Sequence, residues 1–181
     1  MVNISEYFQN LRFEIKALLF DWGNTVMKVF PEQTGPMASW SQVDTIEGIR
    51  EILPLLTDKY QIILVSNAQD SDQELVRQAL ERVELAHYFH EIFTPYELSE
   101  RKPAPNFYLN ILKRIEVEPE NAIMIGDDYE KDIIAAKQVG LWTVWYNPDQ
   151  QELKNISYPY HDAEIIHLLE LASIIQEKMK F

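Results

Sequence analysis

Short apolar runs recur along this chain and alternate with stretches of helical periodicity. Five of these runs are apolar on both faces, as strands of a buried parallel sheet are, and they cover residues 15–20, 61–66, 91–94, 122–127 and 141–146. Strands that alternate with helices predict a parallel sheet with helices on both faces, joined by right-handed crossovers. We therefore expect a three-layer α/β fold with a central five-stranded parallel sheet, and a length of 181 residues suits a single domain, residues 1–181.

Helices are predicted wherever apolar residues recur at helical spacing. They are expected at residues 4–12, 44–56, 72–82, 104–115, 130–139 and 163–178. Asp44 and Asp162 are the predicted caps of the second and last of these helices, and Pro54 is expected to kink or interrupt the second. Gly140 should end the fifth helix. Residues 27–43 show little periodicity and are predicted to form a loop or flap.

Composition narrows the classes of function. The chain carries 29 acidic and 16 basic residues, a net charge of −13, which opposes binding to nucleic acid or to an anionic membrane surface. No apolar run approaches the ~20 residues that cross a bilayer, no signal peptide is recognisable, and cysteine is absent. A cytoplasmic location is the simplest expectation. A chain of this charge that handles phosphate needs local positive potential from a metal, a lysine and backbone N–H groups.

Polar residues stand where the predicted strands end. In open parallel sheets, ligands bind beyond the carboxyl ends of the strands. Asp21, Ser66 and the pair Asp127 and Asp128 occupy those positions, and Lys102 lies in the loop after the third strand. Carboxylates beside a lysine indicate a site that holds a metal and an anion together, and Mg²⁺ prefers such oxygen ligands. An aspartate can also attack phosphorus to form an aspartyl-phosphate.

Four motifs in this order resemble the haloacid-dehalogenase-like superfamily. LLFDWGNT at 18–25 is similar to its first motif and ILVSN at 63–67 to its second, and the resemblance covers roughly residues 14–170. Lys102-Pro103 resembles the third motif, and the spacing from Gly126-Asp127 to Asp132 resembles the fourth. The resemblance implies a Rossmann-like fold and, because neither connection leaves room for an inserted domain, a capless phosphatase-type member.

The same resemblance implies catalytic roles for several residues. Asp21 would attack the phosphorus, Lys102 would neutralise Asp21 and the phosphoryl oxygens, and Ser66 would donate a hydrogen bond to the transferred group. Asn67 would begin a helix whose N–H groups face the phosphate. Thr25 would support the loop after the first strand and is counted with the substrate-binding residues.

Metal binding is implied for a second, overlapping set. Asp21 and Asp127 would ligate Mg²⁺ directly, and Gly23 would offer its backbone carbonyl. Asp132 or Asp128 would hold a metal-bound water. The expected substrate is a small phosphorylated molecule or a phosphoprotein, because a capless site is open. A lid from the second subunit of a homodimer is the other way to close it.

Gly23 departs from the family pattern. It stands where family phosphatases have the aspartate that protonates the leaving oxygen and then activates water. General acid–base catalysis contributes roughly 10²–10⁴-fold, so its loss should slow the reaction without abolishing it. The leading interpretation is a Mg²⁺-dependent phosphatase. The alternatives are a weak or inactive relative that acts as a binding or regulatory module, and a phosphotransferase or switch whose intermediate decays slowly.

Overall fold

The computed structural model describes residues 14–154 and 159–178. Its single sheet has the strand order β3-β2-β1-β4-β5-β6, and every neighbouring pair is parallel. The strands are β1 Ala17–Asp21, β2 Gln61–Val65, β3 Glu91–Phe93, β4 Ala122–Gly126, β5 Trp142–Tyr146 and β6 Ala163–Ile165. All five residues of β1 are buried, as its central position between β2 and β4 requires. The predicted α/β class is confirmed.

The number of strands was predicted wrongly, because the sheet formed by the described residues has six strands. Residues 163–165 were assigned to the last helix, but they form β6, which pairs with β5 so that Ile165 lies beside Tyr146. Only one of its three residues, Ile165, is buried, so the strand lacks the buried apolar pair that marks the equally short β3. Asp162 is not a helix cap either. Its carboxylate accepts hydrogen bonds from Lys137 Nζ at 2.7 Å and from the backbone N–H of Thr143 at 2.9 Å.

The helices are shorter than predicted. They are α1 Ile49–Leu56, α2 Gln73–Glu81, α3 Pro95–Leu98, α4 Pro105–Ile115, α5 Ala135–Gln138 and α6 Leu171–Lys178. A π-helical turn, Tyr129–Ile134, leads into α5. Asp44 does not cap α1, because the chain turns at Gly48 with φ +88° and the helix begins after it and continues through Pro54. The predicted helix at 4–12 lies outside the described residues.

Two apolar layers enclose the sheet. Leu18 and Phe20 of β1 face one layer, which includes residues of α1, α2 and α6, whereas Ala17 and Leu19 face the other, which includes residues of α4 and α5. Burial of each such large apolar side chain contributes about 1.5–3 kcal/mol, so both layers stabilise the central strand. The predicted three-layer arrangement is therefore confirmed.

The two connections in which a cap domain would be inserted contain only small elements. Residues 22–48 form a loop with one 3₁₀ turn, Met37–Ser39, and residues 94–121 contain α3, α4 and a second short turn. Arg82 holds the first loop in place through hydrogen bonds. Its Nη1 atom donates to the carbonyl oxygens of Met37, Ala38 and Trp40 at 3.3, 3.0 and 2.7 Å. None of the helices in the described ranges is long and apolar enough to cross a membrane.

Candidate active site

The carboxyl ends of the central strands bring the predicted site residues to one edge of the sheet. Asp21 ends β1 and lies beside Val65, so Ser66 follows directly on the neighbouring strand, and Asp127 follows β4 on the other side. A cavity of about 270 Å³ opens there. It is lined by Asp21, Trp22, Gly23, Asn24, Ser66, Asn67, Ala68, Lys102, Asp127, Asp128, Lys131 and Asp132.

Lys102 joins two of the carboxylates. Its Nζ atom lies 2.5 Å from Oδ1 of Asp21 and 2.6 Å from Oδ1 of Asp132, and the residue is only 2% exposed. Burial opposes a charge on the amine, but the charges of Asp132 and Asp21 outweigh burial and raise the pKa of Lys102. The lysine is therefore a fixed positive charge beside Asp21 at neutral pH.

Asn67 holds Lys102 in place. Its side-chain amide donates to the carbonyl oxygen of Lys102 at 3.0 Å and accepts from the N–H of Lys102 at 2.9 Å. The amide therefore positions the lysine loop and is not directed at a substrate, although Asn67 also lines the cavity. Ser66 is buried next to it, and its Oγ accepts a hydrogen bond from the N–H of Ala68 at 3.0 Å. In that arrangement the hydroxyl hydrogen of Ser66 can be donated to a ligand.

Three carboxylates form a compact cluster. One oxygen from each of Asp21, Asp127 and Asp132 lies within 4.8 Å of the others. Burial, followed by the charge of Asp21, raises the pKa of Asp127 to about 6. The same two causes raise the pKa of Asp132. A divalent cation bound to the carboxylate oxygens would reduce the repulsion between these crowded groups. Mg²⁺ prefers oxygen ligands, so these residues fit Mg²⁺.

Both oxygens of Asp132 already have partners in the protein. Oδ1 accepts from Lys102, and Oδ2 accepts from the N–H of Asp128 at 3.1 Å. This favours contact with a metal through water over direct ligation. Asp128 itself forms an ion pair with Lys131 at the cavity lining, and that pair neutralises two charges. The sequence reasoning missed Lys131, whose only signal was its position one residue before Asp132.

Thr25 takes a different place from the one expected for a substrate-binding residue. It is fully buried, is absent from the cavity lining, and donates from Oγ1 to Oδ1 of Asp127 at 3.1 Å. Trp145, at the end of β5, donates from its indole N–H to the backbone carbonyl of Asp127 at 3.1 Å. Both residues orient Asp127. Nothing in the sequence pattern indicated the contact of Trp145.

Gly23 lines the cavity and brings no carboxyl group to it. The neighbouring Asn24 does not replace the missing acid, because its side-chain oxygen accepts a hydrogen bond from the N–H of Val29 at 3.2 Å. An amide also has no proton that it can give to an alkoxide at neutral pH. The flap that follows, residues 27–43, contributes no residue to the cavity lining.

The motifs, the sheet order and this site agree with a comparison against known families. The family model described as haloacid dehalogenase-like hydrolase matches residues 4–146. The chain belongs to this family. The predicted family membership is thereby confirmed.

Two characterised relatives are phosphatases by name. The chain is 33% identical over 98 residues to glyceraldehyde 3-phosphate phosphatase of Pyrococcus furiosus, an alignment that covers 54% of this chain and 41% of the relative. It is 28% identical over 132 residues to N-acylneuraminate-9-phosphatase of Homo sapiens, with 72% and 51% covered. The chain thus spans about half or less of the length of these relatives.

Solved structures share the fold. A protein from Listeria monocytogenes serotype 4b superposes with a TM-score of 0.81 at 20% identity, covering 92% of this chain and 100% of that one. A phosphatase of the same family from Thermococcus onnurineus gives a TM-score of 0.72 at 22% identity, with 89% and 98% covered. At these identities the likeness concerns the fold alone.

Proposed function

We propose that this chain is a Mg²⁺-dependent phosphatase that hydrolyses small phosphomonoesters through an aspartyl-phosphate on Asp21. One observation carries the proposal. The carboxylate of Asp21 lies at the end of the central strand, 2.5 Å from a buried protonated lysine and beside the carboxylates of Asp127 and Asp132. A nucleophile, a cation that screens it and a metal site therefore meet in one cavity.

In the first step an oxygen of Asp21 attacks the phosphorus, and the bond from phosphorus to the ester oxygen breaks. Lys102 offsets the repulsion between the carboxylate and the phosphoryl dianion, and Ser66 donates its hydroxyl hydrogen to a phosphoryl oxygen. Because Gly23 has no acidic side chain, the leaving alkoxide takes its proton from water. In the second step water attacks the phosphorus and releases phosphate, which restores Asp21.

Asp21 and Asp127 are the proposed direct ligands of Mg²⁺, with the backbone carbonyl of Gly23 as a third and Asp132 acting through water. When bound, the ion supplies charge neutralisation for the phosphoryl oxygens. Thr25 and Trp145 keep Asp127 in position for this task through the hydrogen bonds that they donate to it.

The named relatives support a small phosphorylated substrate, since both act on phosphates of small metabolites by name. A phosphoprotein remains the second proposed substrate class because the cavity is open, and a homodimer remains the proposed source of a lid. We also propose that residues 1–181 form one domain and that the protein is cytoplasmic.

The second candidate is a binding or switch protein that is phosphorylated on Asp21 and hydrolyses slowly. Gly23 favours it, because the group that would activate the second water is missing. The two candidates share the first step and differ in the rate of the second.

Rapid acid quench with a phosphomonoester that has an activated leaving group separates them. We expect a peptide containing Asp21 to carry one phosphoryl group in the presence of Mg²⁺ and to lose it as phosphate appears over repeated turnovers. A phosphorylated peptide that persists without turnover would favour the switch. Turnover without any phosphorylated Asp21 peptide, even at the shortest quench times, would contradict the proposed mechanism.

A further inference from the structure

A second cavity lies at the same edge of the sheet as the active site, beyond the ends of β2 and β3. It has a volume of about 260 Å³ and is lined by Gln69, Pro95, Tyr96 and Arg101. Gln69 follows Ala68, and Arg101 precedes Lys102, so two of its residues are chain neighbours of residues that line the catalytic cavity. Neighbouring Cα atoms are about 3.8 Å apart. The linings of the two cavities are therefore joined at two points along the chain.

Tyr96 is exposed in this second cavity, yet it is held in place. The residue is 59% exposed, while its hydroxyl donates to the carbonyl oxygen of Gln69 at 2.7 Å. Its backbone is fixed by the capping box at the start of α3, in which Thr94 Oγ1 accepts from the N–H of Tyr96 and Glu97 accepts from the N–H of Thr94. An exposed aromatic ring that is already ordered can bind another ring at little entropic cost.

Arg101 supplies the polar component of the cavity. Its side chain is exposed and makes no hydrogen bond or ion pair with any residue in the described part of the chain. The two lysines of the catalytic cavity differ, since Lys102 is bound by Asp21 and Lys131 by Asp128. The guanidinium of Arg101 therefore has its five N–H donors available for a ligand.

We propose that this second cavity is a leaving-group subsite that binds a planar heteroaromatic ring, as in a nucleoside 5′-monophosphate. The inference rests on the proposed phosphatase function. Tyr96 stacks on the ring, Pro95 and Gln69 border it, and Arg101 donates to its carbonyl oxygens or ring nitrogens. A volume of about 260 Å³ is below the ~300–1,000 Å³ of sites that enclose a whole drug-sized ligand, so it suits one ring while the phosphate occupies the neighbouring cavity.

A matched pair of substrates tests the subsite, because uridine 5′-monophosphate carries a base at C1′ where ribose 5-phosphate carries a hydroxyl group. The quantity measured is the ratio of their kcat/KM values with Mg²⁺ in the wild type and in Tyr96→Ala, Tyr96→Phe and Arg101→Gln. Stacking on an aromatic side chain is typically lost on substitution by alanine, so we expect the ratio to fall about tenfold or more in Tyr96→Ala. Tyr96→Phe keeps the ring and should restore most of the ratio. Arg101→Gln should lower it as well.

Lys113→Gln is the matched control for charge. Lys113 is exposed in the last turn of α4, at the end of that helix remote from the Lys102 loop, and it should leave the ratio unchanged. A ratio that Tyr96→Ala does not alter, in an enzyme that turns over both substrates, would overturn the subsite alone. So would a ratio that falls only in Arg101→Gln, since it would indicate recognition of charge. Turnover of neither substrate would overturn the subsite, whereas the proposed function is overturned only if an activated aryl phosphomonoester is not hydrolysed either.

Discussion

A Cβ atom at position 126 would lie 2.3 Å from Oδ2 of Asp132, so the last residue of β4 packs directly against this carboxylate. The other oxygen of Asp132 binds Lys102. Gly126→Ala should therefore displace both side chains, lower stability by about 1–3 kcal/mol and reduce kcat about tenfold or more. Urea unfolding and turnover measure the two effects. Gly35→Ala is the control, because position 35 has open space around it and only its φ of +74° is strained. Equal turnover in both variants would contradict this role of Gly126.

Position 23 can accept an aspartate only if the side chain of Val29 moves away. A Cβ atom there would lie 2.9 Å from Cγ2 of Val29, whose side chain is partly exposed. We expect Gly23→Asp combined with Val29→Ala to accelerate hydrolysis of esters with poor leaving groups, up to the roughly 10²–10⁴-fold of general acid–base catalysis. Gly23→Asp alone should gain less because of the contact with Val29. Activated aryl phosphates should gain least. A uniform gain across leaving groups would argue against an acid–base role.

Asp127 should destabilise the metal-free protein at neutral pH. Its pKa is raised from 3.8 to about 6, so the native state binds a proton more tightly than the unfolded state does, and deprotonation costs stability. This loss of stability has its full size above pH 6 and decreases to near zero as the pH falls from about 6 to 4. Asp127→Asn should therefore raise the free energy of unfolding by about 2 kcal/mol at pH 7.5 with a chelator present, and by much less at pH 4. Unfolding in urea at both pH values checks this.

With Mg²⁺ present, the wild type should be more stable than Asp127→Asn, which reverses their order of stability in the metal-free state. The ion stabilises the wild type by binding the native state, whereas Asp127→Asn lacks a ligand. The rise in Tm on adding Mg²⁺ should shrink in the wild type below pH 6, because protons then compete for Asp127. Thr25→Val serves as an intermediate variant, since it removes only the hydrogen bond to Asp127. An equal rise in Tm in wild type and Asp127→Asn would exclude Asp127 as a ligand.

Arg82 should stabilise the flap without affecting catalysis. Its three hydrogen bonds to residues 37–40 hold a segment that lines no part of the catalytic cavity. We expect Arg82→Ala to cost about 1.5–3 kcal/mol of stability and to leave kcat/KM for a small phosphomonoester unchanged. Arg77→Ala is the control on α2, because the side chain of Arg77 makes no hydrogen bond or ion pair with any residue in the described ranges. A large change in kcat/KM with Arg82→Ala would show that the flap contributes to substrate binding.

The buried strands were predictable because each contains a run of apolar residues, as at 62–65 in β2 and 122–125 in β4. Strand β6 was not, because only one of its three residues, Ile165, is buried, whereas two of the three residues of β3 are buried. The start of α1 was missed because Gly48 turns the chain in the left-handed region, which a period of 3.6 does not reveal. Helix α3 did have a signal. Thr94 and Glu97 are spaced as a capping box, a pattern that sequence reasoning can detect.

The location of the site followed from strand ends, which place Asp21 and Asp127 at one edge of a parallel sheet. The contacts between side chains did not follow. Thr25 and Asp127 are 102 residues apart, and Asn67 binds the backbone of Lys102 across 35 residues. Such pairs depend on how loops approach each other in three dimensions. The resemblance to a family indicated the role of each site residue, and the structure identified the hydrogen-bond partners of those residues.

Turnover of an activated aryl phosphomonoester by wild type and Asp21→Asn, with saturating Mg²⁺, is the most direct test of the central proposal. The substitution keeps the shape of the side chain and removes the nucleophilic carboxylate beside Lys102. We expect kcat to fall at least about 10³-fold, as when other catalytic nucleophiles are removed. Equal rates in the two proteins would contradict the assignment of Asp21 as the nucleophile.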